Sequence, residues 1–396
     1  MHSFDFYSPT KVVFGKDTEL RTGSEIKSFG GSRVFCIYGG SSKKSGLLDR
    51  VVKTMDEQGL TYELCTGVVP NPLLSFARDA VKKAIAFGAD FVLAVGGGSV
   101  IDTAKAVADG AANPDTDIWD FWSGKEKVTK ALPVGVVLTI SAAGSETSSS
   151  SVLTNEEIGS KRGLGSDFHR PRFAILNPEL TYTLPLYQIS CGIVDILMHT
   201  LDRYLAPTKG NEVTDEIAEG VLRTAFKYGK IAMQNPADYA AASELMWAGS
   251  LSHNGITGLG MATDFAPHQL GHELSAKYGV AHGASLSAVW GAWASYACNS
   301  DAAIERFAQY GRKVWGITAG ADNEAAKAAI EATVRYFRDI NMPTCFGEVK
   351  EMGVISDKEL NEMADSCTYQ GARKTIGSLR VLDRSGIYEV YKLANN

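Results

Sequence analysis

Three of the seven histidines of this chain lie in one short segment, PHQLGHELSAKYGVAHG at 267–283. His268 and His272 are four residues apart, about one helical turn, so their side chains share one face of a helix. A further histidine, His199, follows Asp195 at the same spacing. A carboxylate and several imidazoles that converge from two helices suit Fe²⁺ or Zn²⁺. The spacing predicts a metal site but leaves open whether His268 or His272 binds the ion.

A structural function is the simpler alternative for these residues. A lone carboxylate and histidine at DxxxH spacing on an apolar helix more often form a satisfied buried pair than a metal site. Clustering of so few histidines, in a chain that also carries a candidate phosphate-binding turn, favours the metal. The segment is not a zinc-protease motif, because HExxH would require a second histidine where Ala276 stands.

The candidate phosphate-binding turn is GGGS at 96–99, between a predicted strand and a predicted helix. Glycines let the backbone approach an oxyanion closely, and the free N–H groups of a helix N-terminus bind it. Ser99 is predicted to cap the helix and to offer its hydroxyl to a phosphate. The alternative is a tight turn, which seldom needs three glycines. A metallohydrolase that binds no nucleotide would leave this turn without a use.

A second glycine turn, YGGSSKKS at 38–45, bears on the choice of nucleotide. Enzymes that use NAD grip the ribose 2′-hydroxyl with an acidic residue near such a turn. No Asp or Glu lies between Arg33 and Leu48. Small residues and two lysines leave room and charge for a 2′-phosphate, although a solvated basic turn would look the same.

These residues lie among elements of two kinds. Up to about Pro185, apolar strands predicted at 33–38, 90–95 and 134–140 alternate with helical runs at 46–59 and 100–110. Continuous apolar runs that end in glycine-rich turns are typical of parallel strands covered on both faces. After Pro185 the periodicity is helical, at 189–204, 212–233, 237–253 and 301–315. We therefore expect an α/β domain over residues 1–186 and an all-helical domain over residues 187–396.

One low-complexity stretch, SAAGSETSSSS at 141–151, allows two interpretations. As an isolated string it is typical of a flexible linker. Because it follows a buried strand within the α/β half, it is equally well a loop that contacts the cofactor.

Composition argues against several classes of partner and location. Hydrophobic residues make up 45% and charged residues 21%, and the net charge of -6 argues against nucleic acid or an anionic membrane as partner. The six cysteines form no CxxC pair, which indicates reduced thiols. The N-terminal segment resembles no secretory signal, and no apolar run is long enough to cross a membrane. We expect a cytoplasmic protein.

Taken together, the motifs resemble those of the iron-containing alcohol dehydrogenases, most closely their NAD(P)H-dependent butanol dehydrogenase branch. The resemblance covers nearly the whole chain. The motifs that carry it, besides the histidine segment at 267–283, are YSPTKVVFG at 7–15, YGG at 38–40, VVPNP at 68–72, GGGSVID at 96–102, KALP at 130–133, LTISAAGSE at 138–146, LNPELTYTLP at 176–185 and GIVDILMHTLDRY at 192–204.

The resemblance implies an α/β nucleotide-binding domain followed by an all-α metal-binding domain, as in the dehydroquinate synthase-like fold. It implies one divalent ion, Fe²⁺ or Zn²⁺, whose ligands are Asp195, His199, His268 and His282. His272 is then a nearby histidine that does not bind the ion and relays a proton. The residues it places at the nucleotide are Asn71, Gly97, Gly98, Ser99, Asp102, Thr139, Ser141 and Lys161, to which the second glycine turn adds Gly39, Gly40 and Ser41. Asp102 is alternatively just an acid in the first turn of its helix.

Two departures from the family pattern matter. AAGSE at 142–146 replaces the GTGSE of many members, which puts local contacts to the nicotinamide in doubt. The Asp that several NAD-using members carry near Gly40 is absent, which favours NADP(H) over NAD(H).

The resemblance implies hydride transfer between NADP(H) and short- to medium-chain primary alcohols or aldehydes, small-molecule substrates, in a homodimer. The metal would act as a Lewis acid on the substrate oxygen. Alternatives within this fold are a glycerol dehydrogenase-like polyol oxidoreductase and a dehydroquinate synthase-like lyase. A catalytically dead subunit that only binds nucleotide is a further alternative.

Overall fold

The computed structural model describes residues 1–318 and 320–396, which form two compact units. The sheet unit is Tyr7–Leu184, and the helical unit comprises Met1–Phe6 together with Pro185–Asn396. The predicted fold class, an α/β half followed by a helical half, is confirmed. The sequence did not indicate that the N-terminal residues pack with the helical unit, where the His2 backbone N–H donates to Asn211 Oδ1 at 2.8 Å.

A six-stranded parallel sheet organises the sheet unit, with strand order β1-β8-β5-β4-β2-β3. Its central strands are fully buried and almost entirely apolar, as expected for a sheet covered on both faces. The strands predicted at 33–38, 90–95 and 134–140 are β2, β4 and β5. The strands are β1 (Lys11–Phe14), β2 (Arg33–Tyr38), β3 (Thr61–Thr66), β4 (Phe91–Gly96), β5 (Val134–Leu138) and β8 (Phe173–Leu176).

The remaining strands of this unit form an antiparallel hairpin of β6 (Ser150–Asn155) and β7 (Ser160–Gly165). The sequence did not predict this hairpin, because β6 begins inside the serine-rich stretch, where apolar alternation is weak. The helices of the unit are α1 (Thr22–Ser28), α2 (Gly40–Lys44), α3 (Leu47–Glu57), α4 (Leu74–Phe87), α5 (Gly98–Ala112) and α6 (Ile118–Trp122), with 3₁₀ turns at Thr18–Arg21 and Pro178–Thr181.

In the helical unit, the first helix, Leu186–Tyr204, is buried along most of its length and packs against several of the other helices. The long helices are α7 (Leu186–Tyr204), α8 (Glu212–Gln234), α9 (Tyr239–His253), α10 (Ala266–Tyr278), α11 (His282–Ala297), α12 (Asp301–Val314), α13 (Asp322–Asp339), α14 (Asp357–Cys367) and α15 (Arg384–Ala394), with 3₁₀ turns at Ile256–Gly258 and Phe346–Glu348. None of the helices in the described part of the chain has the length and apolarity that crossing a membrane requires.

Candidate functional site

The predicted metal ligands lie on three helices of the helical unit. Asp195 and His199 occupy successive turns of α7, His268 lies in the first turn of α10, and His282 is the first residue of α11. The helical spacing of four therefore places Asp195 and His199 on one face, as the sequence predicted.

The side chains of these helices converge on one carboxylate oxygen. Asp195 Oδ1 lies 3.5 Å from His282 Nε2, 3.9 Å from His268 Nε2 and 3.1 Å from His199 Nδ1. The ligand atoms of Asp195, His268 and His282 all lie within 4.8 Å of one another, a group able to hold a metal ion. The His199 ring packs against the His268 ring, with centroids 4.4 Å apart.

His199 is poised as a neutral base. Its Nδ1 lies 3.0 Å from the backbone oxygen of Asp195, to which it donates when protonated at that nitrogen. Burial lowers the pKa of His199 below its ordinary value, against the opposing effect of the Asp195 carboxylate. Metal binding requires a neutral imidazole, so this environment favours the form that ligates.

Asp195 Oδ1 and His268 Nε2 are both buried, and neither has a hydrogen bond from any group in residues 1–318 and 320–396. A buried acceptor that remains unsatisfied costs about 1–3 kcal/mol, more when it is charged. A divalent cation would satisfy both atoms at once, so the residues present fit a metal ion.

Two glycines allow the helices to approach closely at the ligands. A Cβ on Gly283, next to His282, would lie 2.2 Å from the backbone oxygen of Cys191 on α7. A Cβ on Gly271 would lie 3.0 Å from Ser285 Oγ, where α10 packs against α11. Larger residues at these positions would push apart the helices that carry the ligands.

His272 is buried beside the same cluster. Its ring centroid lies 5.5 Å from that of His282 and 6.4 Å from that of His268. It thus follows His268 by one turn of α10 and remains within the group of histidines without belonging to the ligand atoms that converge on Asp195.

Sequence reasoning missed two residues of this cluster. Asp202 Oδ2 lies 2.5 Å from His268 Nδ1, and His253 stacks on His199 with ring centroids 4.0 Å apart. A signal for Asp202 was present, because it lies two helical turns after Asp195 in GIVDILMHTLDRY. His253 stands alone in its segment, and only helix packing brings it near.

In the sheet unit, the GGGS turn joins β4 to α5. The cap residue of α5 is Gly97, and the helix begins at Gly98, so the prediction that Ser99 caps this helix is wrong. A Cβ on Gly96 would lie 2.6 Å from Val100 Cγ2, and one on Gly97 would lie 2.4 Å from Ile140 Cγ2. Tight packing therefore explains why positions 96 and 97 are glycines. A Cβ on Gly98 would make only ordinary contacts, so packing does not explain the glycine at that position.

The second glycine turn opens the short helix α2 after β2. A Cβ on Gly40 would meet nothing within 4 Å, so this position faces open space. Although the turn itself lacks an acid, Lys43 Nζ pairs with Asp49 Oδ1 at 2.5 Å, and both side chains are exposed. Gly39 and Ser41 flank the open position, with Gly39 as the cap residue of α2.

The other predicted nucleotide residues divide into two groups. Lys161 Nζ donates to Asn71 Oδ1 at 2.9 Å, although the two are far apart in sequence, and Asn71 has a left-handed backbone with φ of 56°. Asp102 instead accepts from Ser145 Oγ at 2.8 Å and from the Val152 N–H at 3.1 Å. Burial raises the pKa of Asp102 above its ordinary value.

Thr139 and Ser141 lie where β5 ends beside the GGGS turn. The Thr139 N–H donates to the Gly96 oxygen at 3.1 Å, which ties this segment to the end of β4. Thr139 is buried, and Ser141 is partly exposed two residues further along.

The serine-rich stretch that follows is not a flexible linker. Residues 144–148 are buried, and the fully buried Lys105 Nζ donates to the backbone oxygens of Ser145, Ser148 and Ser150 at 2.7, 3.0 and 2.7 Å. His169 Nε2 lies 2.7 Å from the Ser149 oxygen. The linker interpretation is wrong, because side chains hold the loop backbone from within the unit.

Comparison with known proteins identifies similarity over the whole chain. A model described as "Iron-containing alcohol dehydrogenase" matches residues 9–178, and one described as "Fe-containing alcohol dehydrogenase family, C-terminal" matches residues 189–395. The chain is 40% identical to NADH-dependent butanol dehydrogenase A of Clostridium acetobutylicum over 99% of both chains. It is 36% identical to NADPH-dependent aldehyde reductase YqhD of Escherichia coli, over 87% of this chain and 88% of that protein.

A solved structure gives the same result. The crystal structure of NADH-dependent butanol dehydrogenase A from Thermotoga maritima superposes with a TM-score of 0.95 at 36% identity, covering 100% of this chain and 99% of that one.

Proposed function

Because the chain belongs to the iron-containing alcohol dehydrogenase family, it is an NAD(P)H-dependent oxidoreductase of alcohols and aldehydes, and we propose that it exchanges hydride between NADP(H) and primary alcohols or aldehydes of short to medium chain length. The observation that carries the proposal is the convergence of Asp195, His268 and His282 on a point where two buried ligand atoms lack a hydrogen bond within the described residues. The names of the relatives, butanol dehydrogenases and an aldehyde reductase, support the substrate class.

Asp195, His199, His268 and His282 are the residues that would hold one divalent ion, Fe²⁺ or Zn²⁺. When bound, the ion supplies Lewis-acid polarisation of the substrate oxygen. The chain's own contribution is to present one carboxylate oxygen and several imidazole nitrogens in a largely buried site. Burial excludes competing water, and a low local dielectric strengthens the electrostatic interactions made there.

His272 is proposed as the residue that carries the proton between the substrate oxygen and solvent. An imidazole has one nitrogen that donates and one that accepts, so it can pass a proton through its ring. Its place one turn after His268, with a ring centroid 6.4 Å from that of His268 where the His199 ring lies at 4.4 Å, supports this role over ligation.

The nucleotide is proposed to bind the sheet unit at the carboxyl ends of β2, β4 and β5. Backbone N–H groups of Gly97, Gly98 and Ser99 at the start of the long helix α5 would bind the pyrophosphate. The pairing of Lys161 with Asn71 adds a cation to the same unit. The nucleotide-binding surface would also be lined by Thr139, Ser141 and Asp102. The Asp102 carboxylate would not contact the phosphates, because it accepts hydrogen bonds from Ser145 and Val152.

NADP(H) is proposed as the preferred cofactor. The open space at Gly40, with Gly39 and Ser41 beside it, leaves room for a 2′-phosphate, and no carboxylate lies within the turn to repel it. The names of the relatives include both NADH-dependent and NADPH-dependent enzymes, so the preference is argued from this turn alone.

The chain is further proposed to form a homodimer, which light scattering coupled to size-exclusion chromatography would test.

The decisive experiment measures oxidation of NADPH and of NADH with straight-chain aldehydes from acetaldehyde to octanal. Enzyme stripped with a chelator should be inactive, and Fe²⁺ or Zn²⁺ should restore activity with NADPH. Butanal and its neighbours should give the highest kcat/KM. Full activity of the stripped enzyme would contradict the metal proposal, and activity confined to polyols would replace the substrate proposal with the glycerol dehydrogenase-like alternative.

A further inference from the structure

Helix α7 carries a second carboxylate beyond the two proposed ligands. Asp202 is fully buried, and its Oδ2 lies 2.5 Å from Nδ1 of His268 on α10. Its backbone oxygen also accepts from the N–H of Asp264 at 2.7 Å, just before α10 begins. One residue thus connects α7 both to the entry of α10 and to the ring of its first histidine.

We propose that Asp202 is a positioning residue that holds His268 in the tautomer and orientation required to bind the metal. This inference rests on the proposed function, because it assumes that His268 is a ligand. A neutral imidazole carries one N–H. With that N–H at Nδ1 donated to Asp202, the lone pair is at Nε2, which faces Asp195 Oδ1 at 3.9 Å.

The carboxylate also changes the strength of the ligand. A ligating histidine whose other nitrogen donates to a carboxylate is a stronger base and is fixed in orientation. His199 obtains its orientation differently, from the backbone oxygen of Asp195 at 3.0 Å. Removal of Asp202 should therefore weaken metal binding through His268 while leaving His199 held as before.

The chain offers a matched control in its other unit. Asp109 Oδ2 lies 2.8 Å from Nδ1 of the buried His169, and both side chains are fully buried. As in Asp202, the Oδ1 of Asp109 has no hydrogen bond within residues 1–318 and 320–396. The two pairs differ at the far nitrogen, because His169 Nε2 lies 2.7 Å from the Ser149 oxygen, whereas His268 Nε2 has no such partner among those residues.

The test measures the apparent Kd for Zn²⁺ by competition with a chelating indicator, in the full chain. Asp202→Asn and Asp202→Ala should lose about 10- to 100-fold in Zn²⁺ affinity, the usual cost of removing such a partner. Asp202→Asn should lose less, since its amide oxygen can still accept from Nδ1. Asp109→Asn should retain wild-type affinity for Zn²⁺, whatever it does to the thermal midpoint.

Folding of each metal-free variant is checked by circular dichroism. A folded Asp202→Asn with wild-type Zn²⁺ affinity would overturn the inference, as would an equal loss in Asp109→Asn. Should Asp202→Ala not fold, Asp202→Asn decides alone. Failure of the proposed function looks different: the wild-type protein and Asp195→Ala would then bind Zn²⁺ equally weakly, and this inference would fall with it.

Discussion

Two buried histidines show how differently the two units use the same side chain. His169 in the sheet unit has both ring nitrogens occupied, one by Asp109 and one by the Ser149 oxygen, and it holds a loop in place. His268 in the helical unit has a carboxylate at Nδ1 but no hydrogen bond at Nε2 within the described chain. Both nitrogens of His169 are thus used for structure, whereas Nε2 of His268 is left able to bind a metal ion.

An orphaned atom is not sufficient by itself. Asp109 Oδ1 in the sheet unit also lacks a hydrogen bond within the described residues. Among the residues that the structure describes, Asp195 is where such atoms converge, with ligand atoms of His268 and His282 in the same small volume. Convergence of several metal-ligand atoms distinguishes the candidate metal site from an isolated unsatisfied group.

Loss of a proposed ligand should have the largest effect. Asp195→Ala should lower kcat/KM by at least about 10³-fold, because a Lewis acid contributes several kcal/mol to the transition state and each 1.4 kcal/mol is tenfold. NADPH affinity, measured by quenching of tryptophan fluorescence, should be unchanged. His169→Gln is the comparison: it should lower the thermal midpoint and leave metal content unaltered. Wild-type turnover by chelator-treated Asp195→Ala would show that Asp195 does not hold a catalytic metal, and the proposed functional difference between the two units would be wrong.

The role of His272 is the next test. If it carries the proton, His272→Ala should lower kcat by about 10²–10⁴-fold, the usual contribution of general acid–base catalysis, with metal content unchanged. His2→Ala, at the exposed N-terminus of the helical unit, should keep wild-type kcat. Loss of stoichiometric metal from His272→Ala would make this residue a ligand instead.

The satisfied network of the sheet unit predicts an effect on stability. Lys105→Met should lower the free energy of unfolding by about 3–5 kcal/mol, because it leaves the buried Asp102 carboxylate and several loop oxygens without their cation. Urea denaturation measures this change. Lys125→Met removes an exposed ion pair with Asp120 and should leave the midpoint unchanged. Equal midpoints in the two variants would show that the loop does not depend on Lys105.

The smallest expected effect concerns the choice of cofactor. We expect wild-type kcat/KM to favour NADPH over NADH by about 10- to 100-fold, since a charge-assisted hydrogen bond contributes about 1.5–3 kcal/mol. Gly40→Asp should shift this ratio towards NADH by adding an acceptor and a repulsive charge. Gly165→Asp places the same side chain in open space elsewhere in the sheet unit and should leave the ratio unchanged. A wild-type ratio that favours NADH would overturn the preference.

Local periodicity accounts for what the sequence could predict. Apolar runs that end in glycines identified β2, β4 and β5, and the spacing of four placed Asp195 and His199 on one helical face. These inferences need only a few neighbouring residues, whose backbone geometry repeats with a known period. The hairpin of β6 and β7 was not predicted, because the serine-rich stretch in which β6 begins has no apolar pattern.

Chemical patterning alone thus determined the fold class, an α/β half followed by a helical half, the glycine turn at 96–99 and the set of residues from which a metal site can be built. Tertiary structure decided which atoms meet: the Nε2 atoms of His268 and His282 at Asp195, the carboxylate of Asp202 behind His268, and Lys105 inside the serine-rich loop. The spacing of four residues between His268 and His272 does not tell which of the two histidines binds the ion. Their different surroundings depend on how α7, α10 and α11 pack, and that packing is set by contacts such as Gly283 against Cys191, between residues distant in sequence.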